Sequence, residues 1–201
     1  MLKRVSDILL SGAGILVLSP LLLLIFIAVK ASSPGPAIYR QKRVGRYNTD
    51  FEVYKFRSMY TGSDRKGLLT VGDSDPRITG VGSILRKYKL DELPQLFNVL
   101  KGDMSIVGPR PEVRKYVELY DENQRKVLDV RPGITDLASI KYRNENEILS
   151  GKPDPEDHYI SHIMPDKIEI NLEYICDRSI LKDMKVILKT LSAIINGSPG
   201  T

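Results

Sequence analysis

Four kinds of hydrophobic pattern divide the chain. The first is a continuous run. Ile8 to Val29 holds 22 residues without a charge, and at about 1.5 Å per residue a helix of that length reaches roughly 33 Å, enough to cross a hydrocarbon core. Ser19-Pro20 interrupts its middle. Proline removes a backbone donor and bends a helix near the carbonyl four residues back, here Leu16; the Ser19 hydroxyl is placed to serve the freed backbone. The second pattern is alternation. Ala37 to Val44 and Phe51 to Phe56 read as the strands of a hairpin, with Gly45 to Asp50 as the connection. The third is helical spacing. Leu93, Leu96, Phe97 and Leu100 fall at i, i+3, i+4 and i+7, predicting one buried helix face, with Pro94 near its start and Gly102 as its stop. A short helix is expected over Val81 to Tyr88 and one or two amphipathic helices over Glu112 to Leu128. In a closing helix over Leu181 to Ile195, Met184, Ile187, Leu188, Leu191 and Ile195 share a face, capped by Gly197. The fourth pattern is the absence of periodicity. Thr61 to Thr79, rich in Gly and Asp, reads as a long loop of the kind that serves as a lid or binding loop. Ser33-Pro34-Gly35-Pro36 reads as a turn-rich joint and Gly151 to Asp157 as a polar loop.

Charge changes the reading of the first run. Lys3 and Arg4 precede it; Lys30, Arg40, Lys42 and Arg43 follow. A spanning helix normally keeps positive charge on one side only, so two basic flanks predict a helix that enters the membrane and returns. A plain transmembrane anchor and a cleaved signal peptide are the competing readings; the apolar run is long for the second, and Lys30 directly precedes the small residues Ala31-Ser32-Ser33. With 201 residues the chain is within reach of one domain with a real core, and the formal charge is +5. An anionic membrane surface and phosphorylated substrates suit that charge. Nucleic acid is not expected as a partner, because the basic residues are spread out and not interleaved with an aromatic platform. The single cysteine, Cys176, excludes an internal disulfide and is expected to be a buried small residue.

The candidate chemistry centres on Asp91-Glu92. The bland reading is an acidic helix N-cap. Arg86, Lys87 and Lys89 crowd its approach. Strand alternation places Lys55 and Arg57 on one face, either a solvated face or a basic one. Gly108-Pro109-Arg110-Pro111 and Arg131-Pro132-Gly133-Ile134-Thr135 are two rigid turns that hold an arginine at low entropic cost, and arginine suits bidentate phosphate binding. Adjacent carboxylates with only two histidines point to a hard, oxygen-liganded cation such as Mg²⁺, used with substrate phosphates. His158 and His162 are four apart in a loop-like region without further zinc ligands. No dinucleotide-binding, Walker or nucleophile-elbow motif is present. Together the residues point to phosphoryl chemistry at a membrane surface.

At this point the chain resembles a family, the monotopic phosphoglycosyl transferases, bacterial sugar transferases that begin glycoconjugate assembly. The resemblance covers nearly the whole chain. It rests on the Lys3-Arg4-x-x-Asp7 run with Ser19-Pro20, on Tyr54-Lys55-Phe56-Arg57-Ser58-Met59, on the stretch from Leu90-Asp91-Glu92-Leu93-Pro94-Gln95 through Gly102-Asp103-Met104-Ser105, and on the two arginine turns. It implies an α+β, helix-dominated fold: a re-entrant membrane helix broken at Ser-Pro over residues 1–33, then a catalytic domain over 34–201 with a small β-hairpin and amphipathic interfacial helices. It implies transfer of a sugar-1-phosphate from a UDP-sugar to a polyprenyl phosphate at the cytoplasmic face of the bacterial inner membrane, releasing UMP. By resemblance Asp91 is the nucleophile that forms a covalent phosphosugar, and Glu92 its partner at Mg²⁺. Lys55, Arg57 and Arg86 are then phosphate ligands, and Pro109, Arg110, Pro111 and Arg131 the nucleotide side. A homodimer is left open.

The chain also departs from the common pattern. Many members continue Gly-x-Ala-Gln-Val-Asn-Gly-Arg-Asn where this chain reads Asp136-Leu137-Ala138-Ser139-Ile140-Lys141-Tyr142-Arg143-Asn144, and Asn171 stands where Asp is frequent. The donor sugar is therefore not transferable from a relative. A metal-dependent lipid-phosphate phosphatase and a non-enzymatic membrane scaffold are the alternatives from other classes.

Overall fold

The computed structural model describes residues 2–63 and 75–196. Helix α1 runs from Leu2 to Ser32 as one assigned helix that continues through Ser19-Pro20. The Ser19 hydroxyl donates to Leu16 O at 2.8 Å, the carbonyl that Pro20 leaves without an N–H. One face of α1 packs on the domain, where Leu21, Leu22, Ile25 and Val29 meet Ala37, Phe56 and Leu85. The rest of its circumference is bare: Leu2, Leu9, Leu16, Val17, Leu23, Leu24 and Ile27 are all exposed.

Polar bonds tie both ends of α1 to the same body. At the start, Arg4 donates to Val99 O (2.6 Å) and Leu100 O (3.0 Å). Lys3 pairs with Asp183 at 2.6 Å. Asp7 is buried and accepts from the Ser105 hydroxyl and from Ile106 N at 3.1 Å. At the far end, Arg57 donates to Val29 O (3.1 Å) and Ser33 O (2.7 Å). The last carbonyls of a helix have no partner within it, and here a buried guanidinium supplies one.

The hairpin follows the alternation. Strand β1 (Ile38–Val44) pairs antiparallel with β2 (Asp50–Phe56), Ile38 opposite Phe56 and Val44 opposite Asp50. Helix α2 spans Gly80–Lys87, and Thr79 caps it by accepting from Gly82 N. A Cβ at Gly82 would lie 1.9 Å from Ser58 O, so only glycine lets α2 dock on the chain leaving β2. Most of the expected loop, residues 64–74, lies outside the described residues; its ends are joined by a bridge between Met59 and Ile78.

Helix α3 (Gln95–Lys101) ends at Gly102 with φ 102°, as its spacing predicts, but its apolar series does not face inward. Leu93 and Leu96 are half-buried, while Phe97 is 46% and Leu100 37% exposed. The buried face is Gln95, Asn98 and Val99. The reason is the free edge of β2: Asn98 accepts from Tyr54 N at 2.9 Å and donates to Glu52 O at 2.7 Å, closing two backbone groups that the hairpin leaves open.

Strand β3 (Ser105–Val107) precedes the short α4 (Arg114–Val117), and β4 (Gly133–Thr135) pairs parallel with β3. This pair was not expected from the pattern. Between them, the helices expected over Glu112 to Leu128 shrink to α4 and a 3₁₀ turn at Gln124–Asp129. Helices α5 (Leu137–Lys141), α6 (Glu145–Ser150), α7 (Pro155–His158), α8 (Met164–Cys176) and α9 (Ile180–Asn196) complete the fold. A π turn, Tyr159–Ile163, joins α7 to α8 without a break, so His158 and His162 lie on a helical run and not in a loop, their rings stacked 4.7 Å apart. The main core gathers Val44, Tyr116, Val117, Leu149, Tyr159, Ile163 and Met164. Cys176, expected to be buried, is exposed at the end of α8.

In α9 the apolar side chains again face outward. Leu181, Met184, Leu188 and Leu191 are exposed, while Asp183 and Val186 are buried. The Ile195 side chain and Gly197 lie outside what is described. The fold is thus helix-dominated with two small sheets, and it leaves apolar surface on α1, α3 and α9.

Replacing Asn98 with Leu, of nearly the same volume, strands two backbone groups of β2. The expected loss is about 2–4 kcal/mol, read from the unfolding midpoint of the purified protein. A loss below about 0.5 kcal/mol would mean that Asn98 does not close the β2 edge.

Candidate active site

The dyad sits on a single 3₁₀ turn, Leu90–Glu92, between α2 and α3. Lys89, left-handed at φ 56°, turns the chain from one into the other. Two facts separate the carboxylates. Asp91 is 7% exposed, and its Oδ1 is buried with no hydrogen-bond partner among the described residues. Glu92 is fully engaged: Arg110 Nη1 donates to Oε2 at 3.1 Å, Arg110 Nη2 donates to Oε1, and Lys55 Nζ lies 3.3 Å from Oε1.

Their titration follows from this division. Burial and then the adjacent Glu92 charge push the Asp91 carboxyl above the ordinary aspartate range. Burial also opposes ionisation of Glu92, but Arg110 and Lys55 overcome it and hold that carboxyl well below its ordinary value. Burial lowers the Lys55 ammonium, with Glu92 opposing. The pair therefore consists of a fixed anion and a more basic carboxylate with a free oxygen. The more basic carboxylate is the better nucleophile once ionised.

The cations come from three elements. Lys55 is on β2, at the position that the alternation assigned to it. Arg86 is in the last turn of α2 and has no ion-pair or hydrogen-bond partner among the described residues. Arg110 lies in the 108–111 turn, held by neighbours. Gly133 N donates to Pro109 O at 2.9 Å and Gly108 N to Thr135 O at 3.1 Å. Arg43 Nη1 donates to Pro111 O (3.2 Å) and Glu112 Oε1 (2.9 Å), and the Tyr159 hydroxyl donates to Glu112. This support from Arg43, Glu112 and Tyr159 was missed in the sequence; a glutamate directly after Pro111 in a basic turn was its only signal.

Two expected ligands are committed to backbone carbonyls, Arg57 in the wall of the same cavity and Arg131 outside it. Arg57 shares a side of the hairpin exit with Lys55, but β2 ends at Phe56, and the Arg57 guanidinium turns into the carbonyls that end α1. Here it is a helix cap, not a free phosphate ligand. Arg131 donates through Nε to Gly102 O at 2.7 Å and is outside the cavity that holds the dyad; the β3–β4 pairing carries it to the end of α3. Pro109 and Pro111 do line that cavity, beside Arg110.

The cavity measures about 1320 Å³. Its walls include Lys55, Arg86, Asp91, Glu92 and Arg110 at one end, Leu10, Gly14 and Leu18 of α1 along one side, and Asp136, Arg143 and Asn171 at a distance along the chain. An acidic centre ringed by cations thus opens beside an apolar helix, a setting that suits a phosphate carried on a lipid.

The chain belongs to the bacterial sugar transferase family, whose model it matches over residues 1–197. In particular, it is similar to the UDP-N-acetylgalactosamine-undecaprenyl-phosphate N-acetylgalactosaminephosphotransferase of Aeromonas hydrophila, 40% identical over 98% of this chain and 44% of the relative. It is also 40% identical, over 95% of this chain and 39% of the relative, to the UDP-glucose:undecaprenyl-phosphate glucose-1-phosphate transferase of Escherichia coli K12. Against the Caulobacter vibrioides protein of the same name it is 35% identical, over 96% of this chain and 69% of the relative. The chain spans less than half the length of the first two.

Arg57 and Arg86 separate by assay. Arg57→Lys cannot bridge several carbonyls and should lower the unfolding midpoint by the equivalent of about 1–3 kcal/mol. Arg86→Ala should leave the midpoint within about 0.5 kcal/mol while reducing turnover at least tenfold. The reverse pattern would exchange their roles.

Proposed function

We propose that this chain transfers a sugar-1-phosphate from a UDP-sugar to undecaprenyl phosphate, releasing UMP, as a first membrane step of glycoconjugate assembly. The observation that carries this reading is Asp91: a buried carboxylate with an unpartnered oxygen, beside a glutamate locked as an anion, in a cavity that carries an uncommitted arginine and is walled by the apolar α1. The names of the relatives, which pair a UDP-sugar with undecaprenyl phosphate, support the same substrates.

In the first step an Asp91 carboxylate oxygen attacks the phosphorus that bears the sugar. The bond from that phosphorus to the bridging oxygen breaks, and UMP leaves with the electron pair. In the second step a phosphate oxygen of the lipid attacks the same phosphorus, and the bond to Asp91 breaks, restoring the carboxylate. Lys55 and Arg110 keep Glu92 ionised throughout, and Arg86 faces the incoming phosphates. Splitting one displacement into two lets the soluble donor depart before the lipid enters.

The residues fit Mg²⁺. Asp91 Oδ1 is unpartnered, Glu92 Oε2 accepts a single hydrogen bond, and Mg²⁺ needs only one or two protein carboxylates when phosphates supply the rest. Among the described residues no cluster of three or more acidic, His or Cys side chains would make a self-sufficient cage. When bound, the ion neutralises charge on the phosphoryl oxygens.

The membrane reading is that residues 1–33 form a re-entrant helix and residues 34–201 a catalytic domain on the cytoplasmic face. Both ends of α1 bond to one body, which supports two ends on one side. The exposed apolar faces of α1, α3 and α9 are the surface a bilayer would cover.

The first test incubates the purified chain with a panel of UDP-sugars and no acceptor, followed by intact-protein mass spectrometry. A sugar-phosphate adduct on Asp91 is expected, discharged by undecaprenyl phosphate with one UMP per turnover. Asp91→Asn should give neither adduct nor turnover. Phosphate release from lipid phosphate without any UDP-sugar would indicate a phosphatase instead, and retained turnover in verified Asp91→Asn would reduce Asp91 to a ligand.

A second test addresses topology. In a Cys176→Ser background, single cysteines at exposed positions near Lys3 and near Ser33 should both react only with reagents that reach the cytoplasm. Labelling of either from outside would rule out the re-entrant arrangement.

A further inference from the structure

The dyad is approached by a cation that the chemistry above does not use. Lys89 sits two residues before Asp91 with φ 56° and ψ 21°. Side chains with a Cβ rarely adopt this conformation, and a glycine would adopt it without penalty. Among the described residues the other non-glycine positions with positive φ are Tyr47 and Asn48 at the exposed hairpin tip. A strained residue beside reacting groups is where strain is retained for function.

Three further observations concern its charge. Lys89 lines the cavity that holds Asp91 and Glu92. The residue is exposed, so a ligand can reach it, while burial by the site around it lowers its ammonium. It has no hydrogen bond through its ammonium and no ion pair among the described residues, yet it lies within electrostatic reach of Glu92, Asp91, Arg110 and Arg86. The balance around the dyad is unequal. Lys55 and Arg110 answer Glu92, which leaves Arg86 and Lys89 against the single carboxylate Asp91. Counting Asp136, which also acts on Arg110, four cations face three carboxylates. The excess is positive, and an anionic ligand would complete it.

We propose that Lys89 is a phosphoryl ligand of this site, with its left-handed backbone turning the ammonium over the dyad toward the phosphate that Asp91 engages. This rests on the phosphoryl-transfer reading of the cavity and assigns a residue that reading leaves idle. A cation placed by a strained turn, and not by a partner, is kept available for the substrate. The same chemistry could come from the diphosphate of the donor or from the phosphate of the lipid, and turnover distinguishes them.

The test uses the full chain in detergent and three variants. Lys89→Gly and Lys89→Asn both tolerate a left-handed backbone and remove the charge; Lys89→Arg keeps the charge. Neither neutral variant should melt more than about 2 °C below the wild type, which separates a lost ligand from a lost fold. Calorimetric binding of inorganic pyrophosphate in metal-free buffer should weaken about tenfold in both, the size of one charge-assisted contact, and Lys89→Arg should restore most of it. With UDP-sugar, a fall in kcat/KM for the donor assigns Lys89 to the diphosphate; a fall confined to the lipid acceptor assigns it to the acceptor phosphate. Pyrophosphate binding within twofold of the wild type in both neutral variants would overturn the proposal. If the wild type turned over no UDP-sugar, the proposed function would fail, and the pyrophosphate measurement would still decide the role of Lys89.

Discussion

Two carboxylates on consecutive residues repel each other, and burial penalises both charges. The protein meets this constraint by treating them unequally. Glu92 is surrounded, with Arg110 across it as a fork and Lys55 beside it, and its charge is thereby fixed. Asp91 is left with a bare oxygen. The arrangement draws on distant parts of the chain: β2 brings Lys55, the 108–111 turn brings Arg110, and α2 brings Arg86. Each of these elements must therefore be rigid. The 108–111 turn lies so close to β4 that a Cβ on Gly133 would sit 2.2 Å from Gly108 N. Glu112, fastened by Arg43 and Tyr159, fixes the other side of the turn.

Much of this was legible in the sequence, for reasons that can be named. The hairpin has alternation and a turn-rich connection, two signals that agree. Asp91-Glu92 alone reads as an acidic helix cap; it stood out because the motif around it is long and basic residues crowd its approach. The failures are equally specific. Helical periodicity reports that a face is apolar and says nothing of what covers it. Phe97 and Leu100 satisfied the pattern of a buried face and are exposed. Asn98, a polar residue on the inner side of α3, was invisible because its value lies in two backbone groups of another strand.

Arginine is ambiguous for a different reason. A guanidinium suits phosphates and backbone carbonyls alike, so sequence places Arg57, Arg86, Arg110 and Arg131 in one class. The fold divides them into a helix cap, an uncommitted cation, a partner of Glu92 and a tie to Gly102. What divides them is where strands stop: β2 ends one residue before Arg57, and the three-residue pairing of β3 with β4, too short to leave a periodic trace, diverts Arg131. Arg57 and Arg131 complete bonds to backbone oxygen, Arg110 is spent on Glu92, and Arg86 is left for the cavity.

The two ends of α1 also differ in when their partners exist. Arg57 lies 28 residues beyond Val29, so the far end of the helix is secured by chain made soon after it. The near end waits much longer. Arg4 and Asp7 bond to residues 95 to 99 positions later, and Lys3 needs Asp183, 180 positions on. A ribosome delivers the chain from its N-terminus, so during synthesis the apolar helix is held at one end while the other has nothing to grip. The last anchor closes only when α9 has emerged, so completion of the C-terminal helix is also the event that finishes the seating of the first.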